Sequence, residues 1–72
     1  MAGEYELASE QIIGIFEEAD AANLSTDVLG RALINEVIKV WMKRRSMEDV
    51  AAELRFTADN LDPNQDYEFM RP

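Results

Sequence analysis

The chain has 72 residues, 47% of them hydrophobic and 31% charged, the range of a globular domain rather than a disordered one. Fifteen acids against seven bases give a net charge of −8. That balance argues against nonspecific nucleic-acid binding, which needs Lys and Arg on phosphates, and favours basic partners. Cys and His are both absent, which excludes disulfides, zinc held by thiolate or imidazole, and the commonest catalytic bases and nucleophiles.

A domain this short hides only ~60% of the surface of its unfolded chain. A core of that size supplies only ~3–5 kcal/mol, and self-association is the expected reinforcement. The first six residues carry no base and no apolar run, so no signal peptide is expected. No apolar stretch reaches the ~18 residues that a membrane span requires. The expected location is the cytoplasm.

The spacing predicts three helices, over about 5–22, 27–45 and 47–61, in a domain 1–62 with a C-terminal tail 63–72. In the first, Tyr5, Ala8, Ile12, Ile15, Phe16 and Ala19 share one stripe. Glu6, Glu10, Gln11, Glu17 and Glu18 lie opposite, and Gly14 falls on that polar side. Between Glu4 and Asp20 there are six acids and no base. Acids at the start suit the helix dipole, whereas Glu17, Glu18 and Asp20 stand at the wrong end. They form either a solvated face or one that meets a positive group elsewhere.

Asn23 to Asp27 forms the first break, with Ser25 or Thr26 as N-cap of the second helix. That helix is the most informative element. Leu29, Leu33, Ile34, Val37, Ile38, Val40 and Trp41 cover about half its circumference. Val28, Ala32 and Met42 widen the apolar surface further. A stripe of ~100° is enough for a surface helix. Either the second helix is sandwiched between the other two, or part of it meets the same helix of a second chain. The second reading predicts an intertwined or face-to-face homodimer with Ile34, Ile38, Trp41 and Met42 at the interface and Phe56 contributing. Lys39, Lys43, Arg44 and Arg45 close this helix, where cations complement the dipole.

Ser46-Met47-Glu48-Asp49 resembles a capping box and opens the third helix. Met47, Val50, Ala51, Leu54, Ala58 and Leu61 form its stripe, with Phe56 nearly opposite. Asp62-Pro63 ends it, because the residue before proline leaves helical geometry. The first half of Asp62 to Glu68 has the alternating oxygen ligands of a calcium loop. The sixth position, which needs glycine, is Tyr67, so no metal or other cofactor is expected. Tyr67, Phe69 and Met70 are predicted to dock the tail on a surface.

Met47 to Leu54, followed by Arg55 to Leu61, resembles a helix-turn-helix segment. That resemblance implies a DNA-binding transcriptional regulator working through 47–61. The segment departs from the motif family at Arg55, where a turn glycine is common, and at Pro63, which would stop the recognition helix. Two acids, Asp59 and Asp62, would also face phosphates. One continuous helix is the preferred reading.

The sequence thus predicts an all-α, three-helix protein without catalytic activity. It would act as an interaction or regulatory module, a homodimer that also meets another protein. Glu10, Glu17, Glu18, Tyr67 and Phe69 form the expected partner-binding surface.

Overall fold

The computed structural model describes residues 3–63. It is all-helical over them: α1 spans Glu4–Ala21, α2 Thr26–Met42 and α3 Met47–Asp59. No strand occurs among the described residues. The chain divides into two units, Met1–Lys39 and Val40–Pro72, and α2 crosses from the first to the second.

In the first unit, α1 opens at Gly3, whose backbone is extended and which has no side chain to cap with. Glu4 and Glu6 place negative charge in the first turn instead, where the helix dipole favours it. The helix ends in a Schellman motif. Asn23 takes the left-handed position with φ 60°. The Leu24 N–H donates to Ala19 O at 2.9 Å and the Asn23 N–H to Asp20 O at 3.1 Å. These two bonds satisfy carbonyls that the last turn would leave open. Asparagine tolerates this conformation better than other residues with a Cβ, which is why the break falls here.

Of the two cap candidates for α2, the chain uses Ser25. Its Oγ accepts from the Val28 N–H at 3.2 Å, and its carbonyl accepts from the Leu29 N–H at 3.0 Å. Within this unit only Ala19 is buried among the described residues. Ile12 and Phe16 on α1, and Leu29, Leu33 and Ile38 on α2, are half-buried. The expected α1 stripe is therefore covered at Ile12, Phe16 and Ala19. Ala8 and Ile15 are exposed and Tyr5 is 93% exposed.

In the second unit, α2 stops at Met42 rather than continuing to Arg45. The chain tightens there: the Lys43 N–H donates to Val40 O and the Arg44 N–H to Trp41 O, each three residues back. Ser46 then caps α3, its Oγ accepting from the Asp49 N–H at 3.1 Å. Glu48 and Asp49 occupy the first turn. The α3 helix runs unbroken through Arg55, Phe56 and Thr57, where a helix-turn-helix would bend. It closes at Asp59, before the expected Leu61. Asn60 turns there and donates to Phe56 O from both its N–H (3.1 Å) and its Nδ2 (2.8 Å). Val50 is the buried residue of this unit, flanked by half-buried Ala51 and Leu54. Met47, Ala58 and Leu61, which the periodicity placed on the same stripe, are exposed.

Candidate interaction surface

The physical feature that stands out is unshielded apolar surface. Among the described residues, Ala19 and Val50 alone are buried, whereas thirteen large apolar side chains are exposed. Fully burying a valine contributes about 1.5–3 kcal/mol and a methyl about 0.8 kcal/mol, so these two sites anchor little. Scattered exposed hydrophobics are ordinary on a protein surface; of the thirteen, Tyr5, Leu7, Ile13 and Ile15 lie on α1 and five lie on α2. Val28, Ile34, Val37, Val40 and Met42 all lie on α2.

The expected interface residues are spread over both units. Ile34 is 53% exposed and Met42 41%, while Ile38 and Trp41 are half-buried. Phe56, on α3, is 65% exposed. The outward positions of Val28, Val37 and Val40 were not among the expected contacts. Their exposure depends on which neighbours cover the helix, and periodicity does not contain that information.

A second cluster holds the end of α2 to the start of α3 inside the second unit. The Arg45 guanidinium lies over the Trp41 ring, 5.3 Å from its centroid. Its Nη2 donates to Glu53 Oε1 at 3.2 Å and, more weakly, to Asp49 O at 3.4 Å. The ion pair is about one-third exposed on both sides, at 33% and 39%. The fork of an arginine serves the ring, the carbonyl and the carboxylate at once, which a lysine could not do. Beside it, Val40, Trp41, Lys43, Arg44 and Arg45 line an open depression of about 370 Å³. Lys43 and Arg44 make no ion pair among the described residues.

Glu10, Glu17 and Glu18 on α1 are exposed, and none of them forms an ion pair among the described residues. No base stands in the last turn of α1 to offset Glu17 and Glu18. Tyr67 and Phe69, the other expected partner-binding residues, lie outside the described residues, as does the rest of the tail from 64 onward. Among the described residues no three or more Asp or Glu side chains gather where a metal ion could be held. No described helix is long and apolar enough to cross a membrane.

A scan against protein-family models finds no match, and searches of curated proteins and of solved structures find none either.

Proposed function

We propose that the chain is a small acidic interaction or regulatory module of the cytoplasm, without catalytic activity, and that it works as a homodimer joined through α2. The observation that carries this reading is the exposure of Ile34 and Met42 on α2, on the same stripe as half-buried Ile38 and Trp41. Covering them with a second copy returns apolar area that the single chain leaves in water. Ile34, Ile38, Trp41 and Met42 form the contact, with Phe56 contributing. Glu10, Glu17 and Glu18, together with Tyr67 and Phe69 of the tail, remain for a basic partner protein.

Sedimentation equilibrium at micromolar concentration tests this reading. The expected mass is twice the 8.2 kDa of one chain. Ile34→Glu should shift it to that of one chain while helicity is retained, because Ile34 is already exposed within a single chain. A folded wild-type monomer would refute the proposal. A band shift of an oligonucleotide at low salt, falling steeply as salt rises, would instead favour the DNA-binding alternative through 47–61.

A further inference from the structure

The homodimer reading leaves the direction of pairing open, and the order of residues along α2 specifies it. At 100° per residue, Ile34, Ile38, Trp41 and Met42 continue a stripe that begins at Asp27, Gly30 and Arg31, all within about 120° of the helix circumference. The stripe changes character from end to end. It starts with an acid, has two isoleucines in the middle, and leads into the cationic turn of Lys43 and Arg44.

We infer that two copies of α2 pair antiparallel, with the two-fold axis level with Glu36. In that register Ile34 meets the partner's Ile38, and the reverse contact occurs on the other side of the axis. Trp41 lies over the partner's Gly30, and Met42 packs along the stem of the partner's Arg31. Lys43 and Arg44 come level with the partner's Asp27. A parallel pairing would set Asp27 against the partner's Asp27, Arg31 against the partner's Arg31, and the two cationic turns against each other. Opposed like charges of this kind exclude a partner orientation more strongly than matched ones attract. The antiparallel arrangement also pairs the helix dipoles head to tail.

Gly30 is compatible with this register. Glycine weakens a helix interior, yet nothing inside the chain uses the space it leaves: a Cβ built at Gly30 meets no atom within 4 Å. The single chain thus leaves room at Gly30 for the partner's Trp41, as it leaves room at Gly14. Lys43 and Arg44, which form no ion pair among the described residues, likewise acquire a counter-charge.

This inference rests on the homodimer reading, and two experiments separate their failures. The first uses the absence of native cysteine. Arg31→Cys and Met42→Cys chains are prepared separately, mixed, and oxidised mildly. In the antiparallel register the mixture forms a disulfide-linked dimer between unlike chains. Neither variant links to itself, because like positions lie about 15–18 Å apart along the axis, beyond disulfide reach. Rapid self-linking of either variant alone, or no linking in the mixture, overturns the register. In the second experiment, Gly30→Leu should leave helicity intact, since the space is open in one chain, and weaken dimerisation at least about tenfold by displacing the partner's Trp41. Unchanged dimerisation overturns the proposal. A wild-type chain that sediments as a monomer removes the homodimer reading itself, before orientation is in question.

Discussion

Two ion pairs in this chain invert the usual ranking by distance, and their removal tests what decides their worth. Lys39 Nζ sits 2.8 Å from Glu36 Oε2, a short contact, but both side chains are mostly in water at 70% and 66% exposure. Arg45 Nη2 sits 3.2 Å from Glu53 Oε1, a longer contact at half that exposure. The Arg45 guanidinium also covers the Trp41 ring. An exposed pair is worth about 0–1 kcal/mol, because water screens it and two long side chains must be held still. A cation–π contact adds about 0.5–1 kcal/mol. Arg45→Met keeps most of the aliphatic stem and should cost about 0.5–2 kcal/mol, the sum of the lost ion pair and ring contact. Lys39→Met should cost no more than about 0.5 kcal/mol. Urea unfolding followed by circular dichroism, with all variants at one protein concentration, reads both values. A cycle pairing Arg45→Met with Glu53→Gln should show a coupling of about 0.5 kcal/mol. If Lys39→Met proves the more costly of the two, burial and the aromatic platform do not govern these pairs, and the account of the second unit fails.

Two further predictions concern the backbone of the first unit. Gly14 lies inside α1 and a Cβ there meets no atom within 4 Å, so Gly14→Ala should raise stability by about 0.5–1 kcal/mol; a lower urea midpoint would show that the site is not free. Asn23 holds the left-handed position that ends α1, so Asn23→Val should cost about 1–2 kcal/mol while Asn23→Gly stays within about 0.5 kcal/mol of the parent. Equal midpoints for the valine and glycine variants would contradict the positive φ.

The helix class was legible because its signals are local. Apolar residues recurring every three or four positions, serines ahead of acidic first turns, and an asparagine at the break all act within a few residues of themselves. The capping role of Ser46 belongs to this set. So does the continuity of α3, which residue pattern favoured over the helix-turn-helix resemblance, whereas the stop of α3 at Asp59, two residues before the expected Leu61, does not. Where local groups compete, the sequence alone does not choose. Ser25 and Thr26 were equal cap candidates until the Val28 N–H selected one. The end of α2 was read three residues late, because Lys43, Arg44 and Arg45 are good helix formers whose N–H groups nonetheless turn back on Val40 and Trp41.

The sequence also determined that α2 is apolar over about half its girth, since 100° per residue is a property of the helix itself. It did not determine which part of that girth stays open. The positions of Val28, Val37 and Val40 in solvent, the covering of the α1 stripe at Ile12, Phe16 and Ala19 but not at Ile15, and the reach of Arg45 to Glu53 eight residues away follow from how much surface the neighbouring helices cover. Periodicity assigns a residue to a face. Only the tertiary structure decides whether that face is covered, because burial depends on atoms that approach from elsewhere in the chain.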